Sequence, residues 1–232
     1  MDHYETVDAR LPGRVRAVLA AGSGAGKTTF LFNFLKYSPH ILMEPFNRVY
    51  FFYFNPQPLY NDMKKLLGDR ITFIEGAPQK ETLEKIFNRE AGSPWPCMII
   101  LDDFTLFLTK EVVELFTRMS HHNNAHVMLC IHNLFNRSPY TRDITQSANC
   151  IVLFKNPRDK TVSSSLGRQL FPGKAAEFTK VFEDATERPY GYLMINFDME
   201  AHKKLRYLSN IFPFEFPVRV FVPPSVPSNN AL

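Results

Sequence analysis

Residues 21–28, Ala-Gly-Ser-Gly-Ala-Gly-Lys-Thr, stand between an apolar run at 15–20 and an amphipathic helical pattern, and this placement limits the fold more than any other feature. Alternating small residues let consecutive backbone N–H groups face one anion, and a helix that opens directly after them adds the partial positive charge of its N-terminus. Gly22, Ser23, Gly24, Ala25, Gly26, Lys27, Thr28 and Thr29 are therefore expected to cradle the phosphates of ATP, with Lys27 bridging the β- and γ-phosphates and the Thr28 hydroxyl ligating Mg2+. The usual pattern, G-x-x-x-x-G-K-[ST], begins with glycine. Here Ala21 takes that place, so the turn is expected to close without its most permissive residue.

A second motif complements the first. Residues 97–103, Cys-Met-Ile-Ile-Leu-Asp-Asp, form a short apolar run that ends in two carboxylates, as a strand buried on both faces with a charged C-terminal tip would. In an open parallel sheet the C-terminal strand ends line the ligand crevice, which brings Asp102 toward Thr28 to share the metal and leaves Asp103 to orient the attacking water. The competing reading makes one of the aspartates a cap for the helix near 109–120.

Apolar runs at 15–20, 49–54, 71–75, 97–102, 126–131, 150–154 and 191–197 alternate with helical patterns at 27–37, 80–89, 110–119, 161–170 and 174–186, which is the α/β signature of a mostly parallel sheet flanked by helices. Residues 205–212 and 217–222 suggest a terminal hairpin, and the Pro-, Ser- and Asn-rich end from Pro223 suggests disorder. The domain division expected is an N-terminal segment at 1–13, the ATPase domain at 14–212 and a tail at 213–232. With 232 residues, 45% of them hydrophobic, one large core is affordable and a second full domain is not. No run of about 18 apolar residues and no signal peptide pattern is visible, so no membrane partner and an intracellular location are expected. Cys97, Cys130 and Cys150 all fall in apolar runs without C-x-x-C spacing and read as reduced core residues.

The run at 126–131 ends in His132-Asn133. In P-loop ATPases that insert a strand between the phosphate-loop strand and the acidic strand, a polar residue at that tip senses the γ-phosphate or positions water, and either His132 or Asn133 fits that place.

Several segments together resemble the FtsK/HerA-type genome-packaging ATPases of double-stranded DNA viruses and Maverick/Polinton-like elements. They are Val49-Tyr50 through Phe54 to Gln57-Pro58-Leu59-Tyr60, Leu101-Asp102-Asp103, Asn133-Leu134-Phe135, the stretch from Ile151 to Asp159 containing Asn156-Pro157-Arg158, and Asp184-Ala185-Thr186 before Pro189-Tyr190-Gly191-Tyr192-Leu193. The resemblance spans about residues 15–212. It implies a RecA-like P-loop NTPase that uses ATP and Mg2+, assembles as a homo-oligomeric ring, and drives double-stranded DNA into a preformed capsid with capsid or portal proteins as partners, in the host nucleus or cytoplasm. Members usually carry glutamine where His132 stands. The family's trans-acting arginine has candidates in Arg118, Arg137, Arg142 and Arg158; Arg158 is favoured because its Lys-Asn-Pro-Arg-Asp turn follows a strand directly, and Arg142, in the loop after the His132 strand, comes next.

A formal charge of +4 permits contact with a polyanion without requiring it. Lys155, Arg158, Lys160 and Arg168 form one possible basic stripe, and Arg137 with Arg142 a basic loop. Two other functions use the same phosphate motif: a P-loop kinase acting on a nucleotide or small molecule, and a nucleotide-gated assembly protein with little hydrolysis.

Overall fold

Strand pairing organises the molecule. In the computed structural model, which describes residues 8–135, 138–158 and 161–222, one nine-stranded sheet runs in the order β3-β2-β4-β5-β1-β6-β7-β8-β9. The first six are β1 (Arg16–Ala20), β2 (Val49–Tyr53), β3 (Ile71–Glu75), β4 (Cys97–Leu101), β5 (Ala125–Ile131) and β6 (Cys150–Phe154), all mutually parallel. β7 (Tyr192–Asn196), β8 (Tyr207–Ser209) and β9 (Arg219–Val220) extend the sheet antiparallel, and the last two form the expected terminal hairpin. The seven strands expected from the apolar runs all form. β5 lies between β1 and β4, so the strand carrying the phosphate loop and the strand carrying the two aspartates are separated by one inserted strand.

Central strands are apolar on both sides because helices cover both faces. Along β1 the side chains alternate, Ala17 and Leu19 into one core layer and Val18 and Ala20 into the other. The first layer is roofed by α1 (Lys27–Ile41) and α2 (Leu59–Leu67), the second by α3 (Lys80–Glu90), α4 (Lys110–Glu114), α6 (Pro139–Ser147), α7 (Thr161–Leu170) and α8 (Ala175–Ala185). α4 runs on through a π-helical stretch, Leu115–Met119, into the short α5 (Ser120–His122). Cys97, Cys130 and Cys150 are buried free thiols, and burial pushes those of Cys97 and Cys150 up to about 12, keeping them protonated.

Three helical segments depart from the expectation. α1 continues to Ile41 through Pro39, which lacks the N–H that would bond to the Leu35 carbonyl; the Ser38 hydroxyl donates to that carbonyl instead, at 3.1 Å. α2 forms where no helix is expected, burying Tyr60, Met63 and Leu67 on one side. α6 likewise replaces the expected basic loop around Arg142: Ser138 caps it, accepting from the Tyr140 N–H, and Pro139 occupies its first position.

Candidate functional site

Because β1, β4 and β5 are parallel, their C-terminal ends deliver residues 21–28, Asp102-Asp103 and His132 to one edge of the sheet. They line a cavity of about 340 Å3, with Gln57 and Tyr190 on its other sides. The loop between β1 and α1 places its left-handed residues at Gly24 (φ 75°) and Gly26 (φ 101°). Ala21 is not left-handed. It is buried and its N–H donates to the Ile131 carbonyl at 3.1 Å, continuing the β1–β5 ladder, so a methyl group is accommodated where the usual pattern has glycine. Lys27 is 8% exposed and its Nζ donates to the Ala21 and Gly22 carbonyls at 2.6 and 3.2 Å, which holds the ammonium inside the loop.

The two adjacent aspartates occupy opposite environments. Asp102 is 1% exposed, and its Oδ2 accepts from the Thr28 hydroxyl at 3.2 Å and from the Tyr60 hydroxyl at 2.9 Å. Burial pushes its carboxyl above the usual range, while the hydrogen bonds from Tyr60, Thr28 and Cys130 and the charge of Lys27 pull the other way. Asp103 turns out of the strand with φ 61° and its carboxylate is about half exposed. Its Oδ1 lies 2.9 Å from His132 Nε2, and the His132 N–H donates to Thr105 Oγ1 at 2.7 Å, fixing the strand tip. Ser23 Oγ lies 3.4 Å from the same imidazole nitrogen. A non-glycine residue held left-handed beside a histidine, at a cavity rim, is the kind of strain that accumulates at working sites.

A carboxylate and a hydroxyl in hydrogen-bond contact, one of them deeply buried, are hard oxygen donors of the kind Mg2+ takes when phosphates and water complete its shell. Thr28 and Asp102 would hold it here. The buried charge of Asp102 gains from such a cation, since burial without a counter-charge is unfavourable.

Other expected residues lie elsewhere. Asn133 Oδ1 accepts from the Phe135 N–H at 2.8 Å and shapes the turn; of the two candidates at this tip, His132 is the one lining the cavity. Arg158 is exposed in the turn after β6, its N–H donating to Asn156 Oδ1, and the Asn156 side chain lies beside Gly22. Arg142 sits on α6, not in a loop, and lines a separate groove between α6 and α7. Arg118 pairs with Glu114 along the helix. Lys155 and Arg168 are exposed; Arg137, Lys160 and Asp159 lie outside the described residues.

Three side chains of the site carry no role in the sequence reading. Tyr60, on the unexpected α2, is the donor to Asp102; burial, with the Asp102 charge adding to it, pushes its phenol far up and keeps it a donor. Gln57 contributes an amide to the cavity wall. Tyr190 lays its ring against Gly26, where an added Cβ would meet the ring at 3.1 Å. The helical spacing of Tyr60, Met63 and Leu67 is the signal that places Tyr60.

Fold and site together have the layout of the P-loop NTPase fold in its RecA-like α/β form. The structure resembles B204, the DNA-packaging ATPase of Sulfolobus turreted icosahedral virus, at 11% identity and a TM-score of 0.51 over 90% of this chain and 97% of that one. B204 of Sulfolobus turreted icosahedral virus 2, solved in complex with AMPPCP, matches at 12% identity over 90% and 97% of the two chains with a TM-score of 0.49. The cytoplasmic domain of the Thermomonospora curvata type VII secretion ATPase EccC matches at 14% identity over 84% of this chain and 26% of that one, with a TM-score of 0.48. At such identities the first likeness is one of fold, and the other two add nothing to it. No protein-family model matches the chain, and no curated protein matches it by sequence. Among the described residues no helix is long and apolar enough to cross a membrane.

Proposed function

We propose that this chain is an ATP-driven translocase that packages double-stranded DNA of a virus or transposon into a preformed capsid, working as a homo-oligomeric ring together with capsid or portal proteins inside the host cell. The observation that carries this reading is the meeting of Lys27, Thr28, Asp102 and the Asp103–His132 pair at one open cavity, on a fold shared with a viral packaging ATPase. Residues 14–212 form the motor in this reading.

The chemistry follows from the groups present. Loop amides from Gly22 to Thr29 and the α1 N-terminus bind the phosphates, and Lys27 exchanges its loop carbonyls for β- and γ-phosphate oxygens. Mg2+, when bound at Thr28 and Asp102, neutralises charge on the phosphates. Asp103 accepts a hydrogen bond from the attacking water, and His132, 2.9 Å from it, fixes the carboxylate's rotamer and reports the γ-phosphate to β5. Hydrolysis breaks the bond from the γ-phosphorus to the bridging oxygen. Arg158 of a neighbouring subunit, or Arg142 in second place, offsets the charge that develops there.

Steady-state ATP turnover with and without linear duplex DNA tests this reading, followed by electron microscopy for rings. DNA-stimulated turnover and closed rings are expected. Turnover that needs a small phosphate acceptor instead means a kinase, and binding without turnover, unaltered in Asp103→Asn, means a nucleotide-gated assembly protein.

A further inference from the structure

We infer that the aromatic slot beside the phosphate loop is the base site of the nucleotide; this rests on the triphosphate reading of the loop. The slot, of about 190 Å3, shares Gly26, Thr29 and Tyr190 with the phosphate cavity, so the two adjoin. It runs along the flank of α1 from Thr29 to Asn33, one helical turn beyond the loop, which leaves room there for a ribose and base.

Its lining suits a flat, apolar ring. Phe30 forms the floor, with Tyr192 and Phe212 edge-on to it at 4.9 and 5.0 Å. Tyr190 forms one side: it is 70% exposed and held at φ 61°, a costly conformation for a tyrosine that gains little burial from it. Phe216, with the Arg188 guanidinium 4.0 Å above its ring, forms the other. The lining also carries a polar pair, Asn33 Nδ2 donating to Glu215 Oε1 at 3.2 Å.

The Pro-Tyr-Gly-Tyr-Leu segment, which the phosphate chemistry leaves unused, builds this slot. A Cβ on Gly191 would fall 2.9 Å from the Arg188 carbonyl and 3.0 Å from that of Ala185, so only glycine lets the chain turn here and lift Tyr190 over the loop. Tyr192 then ties the segment to the far side of the slot, its hydroxyl accepting from the Ile211 N–H at 2.9 Å.

Calorimetry of the full chain with Mg-ATP and Mg-tripolyphosphate separates the base site from the phosphate site. Tyr190→Ala is expected to raise the Kd for ATP about ten-fold or more and to leave that for tripolyphosphate unchanged, whereas Lys27→Ala weakens both. Tyr190 is exposed, so its truncation leaves the fold intact, and Tyr190→Phe, which keeps the ring, is expected to bind as the unaltered chain does. The inference is overturned if Tyr190→Ala binds ATP as tightly as before or weakens tripolyphosphate equally. Failure of the unaltered chain to bind tripolyphosphate and ATP alike would overturn the phosphate reading itself, and this inference with it.

Discussion

The two ends of the parallel sheet are made from the same kinds of residue and do opposite things. At the N-terminal end the polar groups saturate one another. His126 is fully buried, its Nδ1 accepting from the Val15 N–H and its Nε2–H donating to the Glu44 carbonyl, at 3.0 and 2.9 Å; Arg14 pairs with Glu44 and with Asn124; and Asn149 ties the start of β1 to Asp198. At the C-terminal end the polar groups converge on an open cavity, Asp103 is left-handed and half exposed, and the Lys27 ammonium donates to carbonyls of its own loop. His126 and His132 sit at opposite ends of one strand. Residue type therefore says little; the partners of His126 are used up within the fold, whereas His132 lines an open cavity, as its proposed role requires.

That contrast breaks most readily at its chemical end. Lys27→Ala and Asp103→Asn are each expected to lower ATP turnover about a hundred-fold or more. Asp103→Asn should leave thermal stability unchanged or slightly raised, because asparagine adopts the left-handed conformation at 61° at least as easily. A melting temperature that falls with the activity would make this end structural after all. At the opposite end, Asn149→Ala removes three hydrogen bonds, one accepted from the Arg16 N–H and two donated, to the Arg14 carbonyl and to Asp198. The expected cost is about 3 kcal/mol in denaturant unfolding, with turnover unchanged at temperatures where the variant stays folded.

Acid sharpens the same contrast. Burial, with the charge of Arg14 adding to it, pushes the His126 imidazole down to about 3 from its ordinary 6.5. Between those values the unfolded chain binds the proton and the folded chain does not, so stability is full above pH 6.5 and declines as pH falls through that window. From pH 7 to pH 5 this group alone should cost about 2 kcal/mol. His126→Gln, measured by urea unfolding at both values, should be less stable at pH 7 and show a shallower loss on acidification; an unchanged slope would mean that the imidazole is not held neutral.

The chemical end is also the more legible in sequence, for a physical reason. Phosphate binding needs small residues, a lysine and a helix start in fixed order, and a buried acidic strand tip is conspicuous in an apolar run, so residues 21–28 and Asp102-Asp103 stand out as candidates, and the fold brings them to one cavity. Strands buried on both faces likewise stand out, and the inserted strand follows from the order of the motifs. Helices with weaker stripes do not. α6 carries its start signal in Ser138-Pro139 alone, and α1 outruns Pro39 only because a serine hydroxyl replaces the missing donor. Tyr60 and Tyr190 escape a residue-by-residue reading because their roles exist only after distant segments meet, at Asp102 in one case and over Gly26 in the other.

Tyr60→Phe probes the border between the two regimes, and its effect should be the smallest. The ring keeps its contacts with Phe51 and Phe73, at 4.8 and 5.4 Å, so only the hydroxyl is lost. Asp102 then retains the Thr28 donor but loses the shorter of its two hydroxyl bonds. Stability should fall by about 1 kcal/mol in urea. A buried carboxylate that accepts from a second residue is held in one orientation, and removing that partner loosens it as a metal ligand. Half-maximal turnover should therefore need more Mg2+, at an unchanged Kd for tripolyphosphate without the metal. Loss of stability with no change in the Mg2+ requirement would move Asp102 from the chemical end of the sheet to the structural one.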